Sequence, residues 1–186
     1  MEDSLLTKIS ELKLDPYINI VVFGDKIRLD FINGWAQISE PDQEFQQLNL
    51  YAKKYTICEQ DLHCNLWSVS PSTTNNTRYF FSNQINYCLI LCNIQVQTRK
   101  DLLSYIGSIT TLCPNIRYLV VGGYYNKKHR QVEIGNYCEE KSLDYHELCL
   151  DQGDVCNKII ELIINRVFQE RKDMINLQFR ELVNKD

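Results

Sequence analysis

Residues 18–25, Ile-Asn-Ile-Val-Val-Phe-Gly-Asp, form a short apolar run that is rich in β-branched residues and ends at Gly24. A run of this length and composition predicts a buried β-strand. After it, Ile27, Phe31 and Trp35 stand four residues apart, the spacing of a helix that buries one face. A strand followed directly by a helix is the first half of a right-handed βαβ unit, so the stretch predicts a parallel sheet.

The same alternation continues toward the end of the chain. Gly122-Gly123 is predicted to close one of the later strands, because paired glycines favour a turn. The apolar stripe of the last helix begins at Ile159 and is extended by Met174 and Leu177. Strands are predicted at residues 87–94, 117–121 and 145–150, and helices at 100–112, 132–142 and 154–183.

Two further segments, 48–57 and 62–69, break this alternation. Their polarity alternates in the manner of strands, and Glu59-Gln60-Asp61 between them predicts a hairpin turn. A hairpin within an otherwise parallel sheet adds one antiparallel strand at the edge. The predicted fold class is therefore α/β, a six-stranded, mostly parallel sheet with one antiparallel edge strand, helices on both faces and a long C-terminal helix.

Leu5, Ile9 and Leu12 recur at the spacing of a short amphipathic helix, which Asp15-Pro16 would end. This helix precedes the predicted sheet. The predicted organisation is an N-terminal amphipathic extension at 1–16, one domain at 17–170 and a C-terminal helical extension at 171–186.

Composition excludes several classes of protein. Hydrophobic residues make up 44% of the 186-residue chain, which is typical of a folded protein and not of a disordered one. The net charge of −4 argues against a general nucleic-acid binder, and the single basic cluster at 127–130 is interpreted as a solvated loop. Seven glycines are few for a chain that wraps its backbone around phosphates.

The eight cysteines show no C-x-x-C pair and lie mostly among apolar residues. We interpret them as buried free thiols of a reducing compartment rather than as metal ligands or disulfides. Cys88 and Cys92 are expected on one face of a strand. His63, His129 and His146 lie on separate predicted elements, so neither a histidine-based catalytic site nor a metal site is expected.

The segment Met1-Glu2-Asp3-Ser4 carries acidic residues where a signal or transit peptide would carry basic ones. No stretch approaches 18 consecutive apolar residues, and the C-terminal residues 183–186 include no cysteine for prenylation. We therefore expect a cytoplasmic protein without a direct membrane anchor.

Four stretches resemble Ras-like small GTPases of the Rab type. Ile20–Asp25 resembles the family's first strand and loop, and Leu66-Trp67 stands where the strand before its Trp-Asp-Thr-Ala-Gly motif would end. Leu119–Gly122 resembles the strand before the guanine-reading Asn-Lys-x-Asp, and Lys128–Val132 resembles the segment after it. The resemblance covers residues 17–170 and implies a Ras-like G-domain.

The phosphate-binding loop, G-x-x-x-x-G-K-[ST], can be compared position by position, starting at Gly24. Leu29 stands at the second glycine, Asp30 at the lysine and Phe31 at the hydroxyl residue that binds magnesium. Because a carboxylate at the lysine position would repel phosphates, the resemblance implies that tight binding of nucleotide and magnesium is lost.

The switch motifs also depart from the family. Between Glu40 and Tyr55 there is no serine or threonine for magnesium. Ser68 stands at the second switch's aspartate, Pro71 at its glycine, and Ser72 or a neighbour at the water-orienting glutamine. Proline has no N–H to donate to a γ-phosphate.

The base-reading positions are occupied by Gly123, Tyr124 and Asn126 instead of Asn, Lys and Asp. Asn126 could not accept both guanine hydrogen bonds as a carboxylate does. The family's final Ser-Ala-Lys corresponds to Cys149-Leu150-Asp151. Tyr124 and Tyr125 are predicted to lie in a loop, either as exposed aromatics of an interface or as fillers of a vacated nucleotide pocket.

These departures predict a pseudo-GTPase, a domain that is not an enzyme and uses no cofactor or metal. Two alternatives stay open. The domain could bind a guanine nucleotide weakly without hydrolysis, or it could be an unrelated α/β enzyme or binder. Cys149 is not expected to act as a nucleophile, because His146, three residues earlier on a strand, would face the opposite side.

The resemblance also implies protein partners. In this family partners dock on the switch regions, here about 37–50 and 68–84, and the long last helix is the second predicted surface. Its segment after Gln169 is expected either to contact a partner or to dock on the body of the domain. We expect the chain to be a subunit of a stable assembly, such as a trafficking or ciliary complex with Rab-like subunits. Nucleic acid is not an expected partner.

Overall fold

Six strands form one sheet in a computed structural model of the protein, which describes residues 15–36, 48–72, 85–126, 130–152 and 154–183. The spatial order is β2-β3-β1-β4-β5-β6. β2 pairs antiparallel with β3, and the other four pairings are parallel. The strands are β1 at Tyr17–Gly24, β2 at Leu48–Ile57, β3 at Gln60–Val69, β4 at Tyr87–Asn93, β5 at Tyr118–Tyr124 and β6 at Tyr145–Cys149.

Within the described ranges, four helices cover both faces of this sheet. They are α1 at Ile27–Ala36, α2 at Arg99–Leu112, α3 at Glu133–Glu140 and α4 at Val155–Val183. The predicted α/β class, the single antiparallel edge strand and the long C-terminal helix are confirmed. The predicted helix at 5–12 and most of the two predicted switch loops lie outside the described residues.

The fold follows from the alternating side chains of β1, the central strand. Ile20 and Val22 point into a core with α1 and α4, whereas Val21 and Phe23 point into a second core with α2 and α3. All four side chains are at most 2% exposed, and each such burial contributes about 1.5–3 kcal/mol. A strand buried on both faces explains why residues 20–23 are a continuous apolar run.

The hairpin turn differs from its prediction by one residue. Cys58 and Glu59 form a two-residue turn with φ of 47° and 65°, while Gln60 and Asp61 already pair with Ile57 and Thr56. Two positive φ values match the twist of a β-hairpin, and neither residue is a glycine. This turn therefore forms from residues that do not favour positive φ values, and no Asn-Gly or Asp-Gly pair stands at 58–59 to mark it in the sequence.

The prediction that Gly122-Gly123 closes a strand is wrong, because both glycines lie inside β5. A Cβ at Gly122 would lie 2.4 Å from the hydroxyl oxygen of Tyr145 on the neighbouring strand. The glycine is required by this close packing and not by a turn.

The eight cysteines are free thiols, as predicted, but the prediction that they are buried holds for only five of them. Cys58 is exposed in the hairpin turn, and Cys113 and Cys149 are partly exposed where α2 and β6 end. Burial raises the pKa of Cys64, Cys92 and Cys156 to about 12. Cys88 and Cys92 lie in the same core, which confirms that they share a face of β4. Among the described helices, α4 included, none is both long enough and apolar enough to cross a membrane.

Candidate functional site

The candidate site is the crevice at the carboxyl ends of β1 and β4. α1 follows β1 on one face of the sheet, whereas α2 follows β4 on the other face. Loops that diverge to opposite faces leave a crevice at the point of divergence, and ligands of open α/β sheets bind there. The positions that the sequence analysis compares with nucleotide motifs lie around this crevice.

The loop after β1 has almost no length. β1 ends at Gly24 and α1 begins at Ile27, so only Asp25 and Lys26 connect them. A Cβ at Gly24 would lie 2.5 Å from the carbonyl oxygen of Leu91 on β4, and its φ of 156° also favours glycine. A connection of two residues cannot form the loop of backbone amides that surrounds a phosphate.

Leu29, Asp30 and Phe31 therefore belong to α1 and not to a loop. Phe31 is fully buried in the core shared with α4, whereas Asp30 is exposed at the crevice. No hydroxyl or ammonium group comes from these three positions.

The side chain of Arg28 occupies the space between the carboxyl ends of β1 and β3. Its Nη1 donates to the carbonyl oxygens of Gly24 and Asp25, both at 3.1 Å. Its Nε donates to the hydroxyl of Ser68 at 3.1 Å. Burial lowers the pKa of Arg28, and the nearby Asp25 opposes this effect. Because the guanidinium binds three acceptors of the protein itself, it closes the crevice on the β3 side.

On the β5 side, the hydroxyl of Tyr125 donates a hydrogen bond to the carboxylate of Asp30. The bond joins the loop after β5 to α1 across the crevice. Burial, followed by this bond and the charge of Asp30, raises the pKa of Tyr125. The phenol is therefore held protonated, and one oxygen of the Asp30 carboxylate accepts its hydrogen bond.

Apolar packing closes the floor between these two contacts. The side chain of Ile27 lies so close to Gly123 that a Cβ there would come within 2.6 Å of its Cδ1. Leu150 also approaches this point, with its Cδ1 3.4 Å from the same Cβ position. Two positions compared with base-reading motifs, Gly123 and Leu150, thus surround an isoleucine of α1.

Hydrogen bonds connect the loops that follow β4 and β5. The Gln95 side chain accepts from the backbone N–H of Tyr125 at 3.0 Å and donates to the carbonyl of Asn126 at 3.1 Å. The backbone N–H of Gln131 donates to the carbonyl of Ile94 at 2.9 Å. Asn126 contributes its backbone oxygen to this network, so the rim is held by intramolecular bonds.

The remaining predicted positions are spread around the rim. Ser68 is buried within β3 and accepts from Arg28, and Pro71 lies two residues beyond β3. Cys149 ends β6, where its thiol donates to the carbonyl of Tyr125 at 3.7 Å, and Asp151 is exposed just after it.

The prediction that Tyr124 lies in a loop is wrong, and so is the prediction that it is an exposed aromatic of an interface. Tyr124 is the last residue of β5, is 6% exposed and packs in the core with α2 and α3. The guanidinium of Arg130 stacks over its ring at 5.8 Å. Tyr125 is the partly exposed member of the pair.

Sequence reasoning missed Arg28 and Gln95, which make most of the side-chain bonds at the crevice. Both stand at positions that the nucleotide motifs leave unspecified, so motif comparison carried no signal for them. The described histidines lie elsewhere. His63 stacks on Tyr17 at the opposite end of β1, with ring centroids 5.2 Å apart, and His146 lies within β6.

Within the described ranges, no group of three His, Cys, Asp or Glu side chains is arranged to hold a metal ion. Among the described residues the crevice offers one guanidinium, one phenol and two carboxylates, and all four of these groups form hydrogen bonds within the chain. No protein-family model matches the chain, and no curated protein matches its sequence.

Proposed function

We propose that the protein is a Ras-like domain that no longer binds nucleotide and serves as a protein-interaction module. The observation that carries the proposal is the crevice filled by the chain's own side chains. Arg28 donates a hydrogen bond to Ser68, and Tyr125 donates one to Asp30. The side chain of Ile27 fills the space beside Gly123.

The sheet supports the Ras-like part of the proposal. The resemblance implies six strands with a single antiparallel edge strand and helices on both faces, and the described chain has this arrangement. Such a sheet is shared by proteins of many activities, so the functional part of the proposal depends on the crevice.

Electrostatics supports the loss of nucleotide. A nucleotide at this crevice would bring its phosphates toward Asp25 and Asp30, whose carboxylates follow β1 directly. Two negative groups about 4 Å apart repel by about 4 kcal/mol at the effective dielectric constant of a protein surface. Arg28 could bind a phosphate directly only by giving up its bonds to Ser68 and the two backbone carbonyls.

Exposed apolar side chains around the crevice support an interaction role. Val96, after β4, is 70% exposed, and Val132, before α3, is 55% exposed. Gln95 and Gln131 join the loops that carry them. Branched apolar side chains on a rim held by internal hydrogen bonds suit a partner that docks on a rigid surface.

The proposed setting follows from the resemblance alone. A domain without a nucleotide-driven switch can serve as a constant subunit of an assembly, because its loops have no γ-phosphate to order them. We place this assembly in the cytoplasm, in trafficking or ciliary transport.

Thermal unfolding of the full chain with 1 mM GTP and magnesium tests the loss of nucleotide. We expect no change in Tm. A ligand present at one hundred times its Kd stabilises by about 2.7 kcal/mol and would raise Tm by about 5–10 °C for a chain of this size. A shift of that size with GTP or GDP, but not with ATP, would favour the weak-binding alternative.

Capture of partners from an extract of expressing cells tests the interaction role. The Val96→Asp variant places a carboxylate on the rim without touching the core. We expect it to lose the proteins retained by the unmodified chain, whereas Thr111→Asp, at the end of α2, retains them. Equal capture of these proteins by both variants would show that the rim around Val96 does not bind partners.

A further inference from the structure

The beginning of the described chain is held against α4 by one side chain. Arg171 donates from Nη1 to the carbonyl of Asp15 at 2.7 Å and from Nη2 to the carbonyl of Tyr17 at 2.8 Å. Its guanidinium also lies 3.5 Å from the Asp15 carboxylate, and only 13% of the side chain is exposed. Asp15, the first described residue, is therefore held at this point of α4.

Beyond Arg171, α4 leaves the sheet. Val167 and Phe168 are the last residues of this helix in the core, and the helix then continues to Val183. Met174 and Leu177, one turn apart, are each 57% exposed. The sequence pattern assigned both to the apolar stripe of α4, but no described residue covers them. About 18 Å of helix thus carries an apolar stripe past the domain.

A groove of about 250 Å³ adjoins this stripe. Ile85 and Ile116, from the loops before β4 and β5, lie on its sheet side, and Val167 and Met174 of α4 lie on the other. Polar side chains, among them the Arg117–Glu170 ion pair, complete the lining of the groove. Because the groove connects Val167 at the edge of the core with the exposed Met174, a segment that covers Met174 would also contact the domain.

We propose that residues 1–14 pack antiparallel to the end of α4 and cover this stripe. The bond between Asp15 and Arg171 sets the register. Leu12 precedes Asp15 by three residues, and Met174 follows Arg171 by three residues, so this register pairs Leu12 with Met174. One turn further along both segments, it pairs Ile9 with Leu177. The apolar spacing of the N-terminal segment thus matches the spacing on α4 at both positions.

Length supports the same occupant. Fourteen residues would span about 21 Å as a helix, close to the 18 Å of α4 beyond Arg171. The segment is also tethered where the stripe begins, because Asp15, the residue that follows it, is bound to Arg171. Its docking therefore costs less translational entropy than the docking of a separate partner or a second copy. In this arrangement the N-terminal segment covers the helical surface that sequence analysis assigned to a partner.

Hydrogen–deuterium exchange of the full chain tests this proposal, with Leu12→Asp and Met174→Asp as variants that disturb the contact from either side. We expect amides of 174–183 to exchange about tenfold faster in Leu12→Asp, and amides of 5–12 to exchange faster in Met174→Asp. Ser10→Asp, which places the same charge on the opposite side of the predicted N-terminal helix, should leave exchange at 174–183 unchanged. Unchanged protection of β4 amides verifies that each variant is folded.

Equal exchange at 174–183 in Leu12→Asp and the unmodified chain would overturn the proposal. Protection that disappears on dilution, together with a dimeric mass in light scattering, would overturn it too, because a second copy would then cover the stripe. Neither result depends on whether the crevice binds a nucleotide, so the proposal stands or fails independently of the proposed function.

Discussion

The Nε of Arg28 donates to the hydroxyl of Ser68 at 3.1 Å, and this contact joins the first turn of α1 to the end of β3. Ser68 stands where the resemblance places a carboxylate that organises magnesium, and Arg28 stands where it places a loop residue. A cation of the protein therefore lies in the space where a bound metal ion would be needed. The pseudo-GTPase proposal depends most directly on this arrangement.

Arg28→Ala should destabilise the domain by about 2 kcal/mol, since it removes charged hydrogen bonds and leaves the buried Ser68 hydroxyl without this donor. Urea unfolding measures the change. Lys26→Ala, an exposed change in the same connection, should stay within about 0.5 kcal/mol of the unmodified chain. Similar losses in both variants would mean that the Arg28 bonds do not hold the crevice.

Tyr125 and Asp30 should show energetic coupling in a double-mutant cycle. Tyr125→Phe removes only the hydroxyl and should cost about 1 kcal/mol, and Asp30→Ala should cost a similar amount. Because the two changes remove one bond, the double variant should cost less than their sum by about 0.5–1.5 kcal/mol. Additive costs would show that the bond does not form in solution.

Gly24→Ala should destabilise the domain by more than about 2 kcal/mol, because the new Cβ would meet the Leu91 carbonyl oxygen at 2.5 Å and the backbone there cannot move away without separating β1 from β4. Gly107→Ala is the matched control. It lies in α2 with open space around the added Cβ and should stabilise by up to about 1 kcal/mol. Thermal unfolding compares the two, and a mild effect at Gly24 would contradict the close strand contact.

Stability should decrease as the pH rises above about 9, where the unfolded chain releases thiol protons that Cys64, Cys92 and Cys156 keep in the folded chain, and the decrease should steepen above about pH 10. Burial raises the pKa of Tyr55 and Tyr105 to about 12, and it also raises the pKa of Tyr125 and Tyr145. Between about pH 10 and 12 the unfolded chain releases phenolic protons that the folded chain keeps, so the free energy of unfolding decreases.

Urea unfolding at a series of alkaline pH values measures this slope. Tyr55→Phe should reduce it, although the variant also removes the acceptor of the 2.7 Å bond from Trp35 Nε1. Tyr17→Phe, a change at an exposed tyrosine, serves as the control. A slope that Tyr55→Phe leaves unchanged would contradict the protonated, buried phenol.

Much of the fold could be predicted from the sequence because its central strands β1, β4 and β5 are buried on both faces. The run at 18–25 and the four-residue spacing of Ile27, Phe31 and Trp35 specify strand and helix without ambiguity. The predictions that were wrong concern positions whose structure is determined by a contact between residues far apart in the sequence. Gly122 looks like a turn residue until Tyr145 is seen to pack against it, and Tyr124 looks like a loop residue until β5 is seen to extend through both glycines.

The crevice was less accessible to sequence reasoning. Motif comparison identifies which groups are missing, such as the lysine replaced by Asp30, but it does not show what fills the space. Arg28 and Gln95 act there through backbone carbonyls and amides, which leave no trace in residue type. Their role depends on a two-residue connection after β1 that brings α1 against the sheet.

The nucleotide content of the purified chain tests the central claim most directly. The full-length protein is purified with magnesium present, denatured, and its supernatant separated by anion exchange, beside a nucleotide-loaded GTPase as positive control. The filled crevice predicts no guanine nucleotide above a buffer blank. Recovery of GDP or GTP close to one mole per mole of chain would contradict it.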